Sequence, residues 1–303
     1  MFHSEASLIY ADQLRNHGHG EPLWQPEPSQ YGEILIGDVG FIEDGCFYRL
    51  FNCTLAAEDP VHADFGVPHG YVPLEYNKRA LLQTKENYLP PKPIYSKSIS
   101  QFKGEAGATA KGVSISYKFE CKKREGAILV PGSDVTLSHV QANPRTREYV
   151  RLHHSSWHRF AIDQGREISP EDIVLVIGWL KTSEWAVAAV ANRGKSHSIS
   201  FGTEGSIASA EFGIERSEEA VASVSQRSGP KRQNLDTPAG HRRNQCLFVR
   251  YCKAKYRRFL PMKIVAGAEP RDMGDSEDLE DVCSSGDQST QANSKWSILT
   301  FSY

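Results

Sequence analysis

The sequence predicts an α+β fold, mostly antiparallel β-sheet with a few short helices and long proline-rich loops. Three observations predict it. Short apolar runs separated by turn residues recur between Val113 and Ala266. An Asp-Gly pair, Asp44-Gly45, stands between two apolar runs, where both residues can take positive φ. Helical spacing is confined to two stretches, Ser4 to about Asn16 and Arg145 to Ala161.

The elements follow in order. Ser4 to Asn16 reads as a short helix with Ser4 as N-cap and Leu8, Ile9 and Leu14 as its apolar side, ended by His17-Gly18-His19-Gly20. Pro22, Pro26 and Pro28 force an extended strap around Trp24, which anchors it. Glu33 to Asn52 reads as strands, with Phe41-Ile42 and Phe47-Tyr48 flanking Glu43-Asp44-Gly45 as a hairpin. Residues 53–112 carry six prolines and read as long ordered loops. Val113, Ile115, Tyr117 and Phe119 alternate with Ser114, Ser116 and Lys118, a half-exposed strand, with Ala127–Val130 as its expected hairpin partner. Tyr149, His153, Trp157 and Phe160 share one face of the second helix.

Ser169-Pro170-Glu171-Asp172 opens one helical turn, followed by a buried strand at Ile173–Leu180. Trp185–Val190 is a second apolar strand, joined to the first by Lys181-Thr182-Ser183-Glu184 as a buried hairpin. Ser198–Phe201, Ala210–Ile214, Asn244–Tyr256 and Met262–Ala266 complete the strands, while Val221 to Gly240 reads as loop. Trp24, Trp157, Trp179 and Trp185 are the expected buried tryptophans. Residues 1–268 are expected to form one α+β domain, with a subdivision considered near 143, and residues 269–303 an acidic, flexible tail centred on Asp272–Asp281.

Composition excludes several classes. Over 303 residues, 39% are hydrophobic and 24% charged, with 24 Gly and 16 Pro, which rules out collagen, coiled coil and wholesale disorder. The net charge of −2 argues against a chain coated in basic charge for DNA. The first twenty residues hold no apolar run of signal-peptide length, and the longest run, Ile173–Leu180, is far short of a membrane helix. The six cysteines, Cys46, Cys53, Cys121, Cys246, Cys252 and Cys283, form no CxxC pair and read as reduced thiols of a cytoplasmic protein. Asn52-Cys53-Thr54 matches a glycosylation sequon, which has no meaning without secretion.

Linear catalytic motifs fail. Gly194-Lys195-Ser196 imitates the end of a phosphate loop, but position 189 is Ala189 where the loop needs glycine. No GxSxG, HExxH or GxGxxG occurs, and no cofactor is expected. His154 and His158 stack at helical spacing and are the weak metal candidates, beside His153 and with His139 near in sequence. Asp38, Glu43 and Asp44 are turn acids before they are a carboxylate pair. From Arg242 to Lys263 there is no acid. Arg242, Arg243, Arg250, Lys253, Lys255, Arg257, Arg258 and Lys263 alternate with Phe248, Tyr251, Tyr256 and Phe259. Neither face of such a strand is purely basic. RNA, anionic lipid or the acidic run Asp275–Asp281 would suit it, and a lysine-protected strand edge needs no ligand at all.

Five segments resemble a known family. GHGEPLWQPEP (Gly18–Pro28), YGEILIGDVGFIEDGCFYRLFN (Tyr31–Asn52), Trp157–Ala161, DIVLVIGWLKTSEWAVAAV (Asp172–Val190) and NQCLFVRYCKAKYRRF (Asn244–Phe259), in that order, resemble a large family of uncharacterised proteins of mushroom-forming (basidiomycete) fungi. The resemblance covers most of residues 10–270 and implies a fungal, intracellular protein without a known cofactor. The final NSKWSILTFSY departs from it.

Three function classes follow. A non-enzymatic binding or regulatory module with a protein partner is the expectation, given the missing motifs. A membrane-acting protein is the second. It would turn Ile173–Leu180 and Trp185–Ala191 into a membrane hairpin, and that stretch resembles the strand-Lys-Thr-strand portion of gasdermin-type pore formers. An enzyme with a dispersed site drawn from His139, His153, His154, Asp38 and Cys121 is the third.

Overall fold

The computed structural model describes residues 5–109, 112–192, 197–204, 206–215, 222–230, 242–257 and 260–267. The acidic run Asp272–Asp281 and the whole 269–303 tail lie outside the described residues. So do Ser4, Arg258 and Gly194–Ser196. Among the described residues the chain is mostly antiparallel β-sheet with three α-helices, as the alternating short runs predict. The elements are α1 (Glu5–Arg15), β1 (Glu21–Pro22), β2 (Asp38–Glu43), β3 (Cys46–Asn52), α2 (Lys78–Leu81), β4 (Leu82–Leu89), β5 (Ile94–Tyr95), β6 (Ile99–Thr109), β7 (Gly112–Cys121), β8 (Glu125–Pro131), β9 (Val135–Val140) and α3 (Pro144–Asp163). There follow β10 (Val174–Thr182), β11 (Trp185–Asn192), β12 (His197–Glu204), β13 (Glu211–Glu215), β14 (Ala222–Gly229), β15 (Gln245–Arg257) and β16 (Leu260–Gly267).

The strands form three sheets. The first runs β1-β15-β10-β2-β3, with β16 on the outer part of β15 and β9 and β4 continuing from β10. The second is β14-β11-β8-β5 and the third β13-β12-β7-β6. The central strands of the second sheet, β8 and β11, are buried on both faces. Ala127, Leu129, Trp185, Val187 and Ala189 point toward α1 and the first sheet, where they meet Tyr10, Leu14, Leu180, Leu247 and Phe248. The alternate residues Ile128, Val130, Ala186, Ala188 and Val190 meet Phe119, Ile199, Phe201 and Phe212 of the third sheet. Two-sided burial is why β8 and β11 read as unbroken apolar runs.

Several elements match their local chemistry. β2 and β3 pair from Asp38↔Asn52 to Glu43↔Cys46 around the Asp44-Gly45 turn, where φ is +50° and +71°. A Cβ on Gly45 would lie 2.4 Å from the Trp24 Cβ, so the turn also seats the strap. Trp24 is buried and meets Tyr10 edge-on at 5.3 Å. Asn143 caps α3 by accepting from the Thr146 N–H at 2.9 Å, with Pro144 at the first position. Trp157 and Trp185 are fully buried, while Trp179 is half-buried beneath the Lys181 ammonium, 4.3 Å from its ring centre.

Other expectations are corrected. Ile173–Leu180 and Trp185–Val190 do not form a hairpin. β10 pairs with β15, β2 and β9, whereas β11 pairs with β14 and β8. The chain changes sheets at Ser183-Glu184, where the Ser133 hydroxyl bridges Thr182 at 2.9 Å and Ser183 at 2.8 Å. β8 likewise pairs with β11 and β5, not with β7. Residues 33–37 are irregular, and the strand begins at Asp38. The stretches 82–89 and 222–229, expected as loop, are strands β4 and β14. β4 is largely exposed on the sheet edge, so it carries no apolar alternation to betray it. Leu8 is 48% exposed, and Tyr10 takes the buried place on α1 instead.

Candidate functional site

The third sheet is amphipathic in register. β7 pairs β12 with Phe119 beside Ile199, Tyr117 beside Phe201 and Ile115 beside Thr203. On the other side of the pleat Lys118 lies beside Ser200 and Ser116 beside Gly202. The aromatic side packs ring on ring, Tyr117 to Phe201 at 5.7 Å and Phe201 to Phe212 at 4.8 Å, and Phe119 meets Tyr95 of the second sheet at 5.8 Å. Burial falls along the β6–β7 hairpin. Cys121 and Phe119 are buried, Tyr117 and Ile115 half-buried, and Gln101 to Glu105 exposed. Phe102 is 58% exposed, at the register shift between Gln101 and Lys103. The hairpin thus projects from its base, where Lys97, Lys122, Lys123 and Arg124 are all exposed. β6 and β7 are 11 and 10 residues long.

The basic strand β15 does not present one surface. Arg242 is exposed ahead of the strand, and Arg243 donates to the Thr136 hydroxyl at 2.9 Å and to Asn87 at 3.4 Å. Arg250 lies between the His19 loop and β4, its Nε donating to the His19 carbonyl at 3.2 Å. Lys253 points the other way, into a cleft with Tyr251, Asp12 and Asp172. Lys255 sits opposite Lys263 and Arg257 opposite Leu260 in the β15–β16 pairing.

The remaining candidates are scattered. Asp38 is buried, ion-paired to Arg49 at 2.8 Å and hydrogen-bonded by Asn52 at 2.8 Å and the Leu35 N–H at 2.7 Å. Asn52 of the sequon is itself buried in that network. Glu43 precedes the turn of the β2–β3 hairpin and Asp44 is its first residue. Cys121 points its thiol at the Lys123 carbonyl, 3.3 Å away, and burial raises its pKa. His158 Nε2 bonds the Ile168 carbonyl at 3.0 Å, and His154 lies fully buried beside Trp157, its pKa lowered first by burial and then by His158. Both histidines therefore help seat residues 168–173 on α3. His153 stacks on Tyr149 at 4.4 Å. Among the described residues no group of three or more His, Cys, Asp and Glu is placed to hold a metal ion.

Sequence reasoning missed the pairing of His19 with Arg250, because the two are 231 positions apart. His19 is half-buried, and its pKa falls from 6.5 to about 4 through burial first, then His17 and Arg250. A depressed histidine stays uncharged in the fold while the unfolded chain takes up its proton. Its contribution to stability is therefore present above pH 6.5 and lost as pH falls toward about 4. His139 and His154 shift in the same direction. The expected outcome is an unfolding midpoint that drops between those pH values, with a shallower drop for His19→Gln, read by urea melts across pH. An identical slope in the variant would remove His19 from the account.

No protein-family model matches the chain, and no curated protein matches it. Among solved structures, the "Cryo-EM structure of the Gasdermin A3 membrane pore" is similar at 12% identity and a TM-score of 0.20, over 84% of this chain and 88% of that one. A likeness of that size assigns neither fold nor function. Among the described residues no helix is long and apolar enough to cross a membrane, a statement that leaves crossings by strands aside.

Proposed function

We infer that this protein acts on membranes through the β6–β7 hairpin. The observation that carries the reading is a hairpin of 11- and 10-residue strands in which β7 alternates Ile115, Tyr117 and Phe119, turned toward the second sheet, with exposed Ser116 and half-buried Lys118. A membrane-crossing strand needs about 9–11 residues with alternating faces. If the third sheet parts from the second, Tyr117 and Ile115 meet acyl chains while Ser116 and Lys118 line water. Open strand edges are not tolerated in a bilayer, so crossing requires several copies to close a barrel. The exposed cations at the hairpin base suit anionic headgroups.

The test is dye release from phosphatidylserine-containing vesicles. Wild type is expected to release dye. Tyr117→Asp is expected to abolish release, and Ser116→Asp, one residue away on the water side, to preserve it. Melting curves accompany both variants, to separate lost release from lost fold. Intact vesicles at every protein concentration, or equal effects of the two substitutions, would overturn the reading.

A second reading, a binding module for a protein partner, is favoured by Leu152 and Ile162, which α3 leaves 60% and 47% exposed.

A further inference from the structure

We propose that Arg250, His19 and His139 form a binding site for a phosphate-bearing anion. Strand register brings them together. Gln83 of β4 pairs with His139 of β9, His139 with Gly178 of β10, and Gly178 with Arg250 of β15. Residues directly opposite one another across a sheet share a face, so one row carries an amide, an imidazole, a glycine and a guanidinium. A Cβ on Gly178 would fall 2.7 Å from the His139 Cβ and 2.8 Å from the Ser138 carbonyl oxygen, so glycine lets β9 approach closely here and puts no side chain of its own between His139 and Arg250.

The third group arrives from the other side. Gly20 has φ +124°, and a Cβ on it would lie 2.5 Å from the Val249 carbonyl oxygen. Glycine thus lets the loop lie flat on β15 and brings His19 over the strand. The His19 ring meets Phe248 edge-on at 5.4 Å and Tyr88 at 6.2 Å, with His17 stacked beyond at 6.3 Å. Lys85, two residues along β4 from Gln83, points to the same face.

The charge of this cluster is unbalanced. Arg250 is half-buried, yet its partners are neutral oxygens, the His19 carbonyl and the Tyr88 hydroxyl. Among the described residues no carboxylate forms an ion pair with it. Long cationic side chains held out of water ordinarily have one. Burial lowers the pKa of Arg250, His19 and His139 alike. Arg250 lowers both histidines further, and Lys85 lowers His139. A bound anion relieves that mutual repulsion. The guanidinium fork fits two phosphate oxygens, and each imidazole adds a donor once protonated.

The same phosphate chemistry exists on a free solute and on a lipid headgroup, so the experiment has two arms. The first titrates inorganic phosphate into the full chain at constant ionic strength set with chloride, following the melting temperature. The second sediments the protein with phosphatidylcholine vesicles with and without phosphatidylinositol 4-phosphate. Wild type is expected to respond in one arm or both, which assigns the source. Arg250→Gln is expected to weaken the response roughly tenfold or more. His139→Gln, which keeps a hydrogen-bonding side chain in the same row, covers the case in which Arg250→Gln does not fold. No response in either arm, or responses that both folded variants match, would overturn the site. The free-phosphate arm involves no bilayer, so its result is distinguishable from failure of the membrane reading.

Discussion

Trp157→Ala is expected to lower the unfolding free energy by about 3–5 kcal/mol. Trp157 is 2% exposed on the inner face of α3. Its ring lies 6.0 Å from Phe51 of β3, 5.9 Å from Tyr149 and 6.1 Å from His154. Phe51 is approached from a second side by Phe160, at 5.8 Å. Val39, Phe41, Ile173 and Leu175 close the same cluster. Removing the indole therefore leaves a cavity walled by two strands and a helix, each held by its own hydrogen bonds, which collapse poorly. Urea denaturation should show a lower midpoint at unchanged slope. Leu152→Ala on the outer face of the same helix, at 60% exposure, should stay within about 0.5 kcal/mol. A loss under about 1 kcal/mol for Trp157→Ala would show that α3 does not seat on β2 and β3 through this ring.

What was legible in the sequence was local. The Asp44-Gly45 turn fixes its hairpin within a few residues, and the spacing of Tyr149 and Trp157 marks the buried side of α3 without knowledge of what it covers. What was not legible depends on neighbours far along the chain. β14 has a polar sequence, Ala222–Gly229, and becomes a strand because β11 offers it an edge from Trp185 to Asn192. β10 and β11 look like a hairpin because both are apolar and a polar turn joins them. Two apolar runs cannot say that each belongs to a different sheet. The basic character of β15 was plain, but Arg250 and Lys253 part company only once register assigns Gly178 and His139 to the row of Arg250. The third sheet shows the same limit. The alternation from Ile115 to Phe119 was visible, whereas its partner β12 lies some eighty residues on, and the exposed β6 had no pattern to read.

Asp38→Ala is expected to cost about 3–5 kcal/mol, for a different reason. Asp38 is fully buried, and burial pushes its carboxyl above the ordinary carboxylate range against the pull of Arg49. Its oxygens take the Arg49 Nε, the Asn52 amide and the Leu35 N–H, which binds both of them into the structural network. The Arg49 guanidinium in turn donates to the Tyr31 carbonyl at 2.8 Å and to the Glu33 carbonyl. Lys181, 1% exposed, meets the same loop from the first sheet, at 2.7 Å from the Glu33 carboxylate and 2.6 Å from the Ile34 carbonyl. Half-buried Arg49 and buried Lys181 thus hold the irregular segment 33–37 where a strand was expected. Removing Asp38 leaves Arg49 without its counter-charge, and that uncompensated charge is the main cost. The pair itself need not be stabilising, because two charges have been taken from water to make it. Asp38→Ala combined with Arg49→Met should therefore recover most of the loss. A double-mutant cycle by urea melts measures the coupling. A single-variant loss under about 1 kcal/mol, or a double variant weaker than Asp38→Ala alone, would contradict a buried charge as the cause.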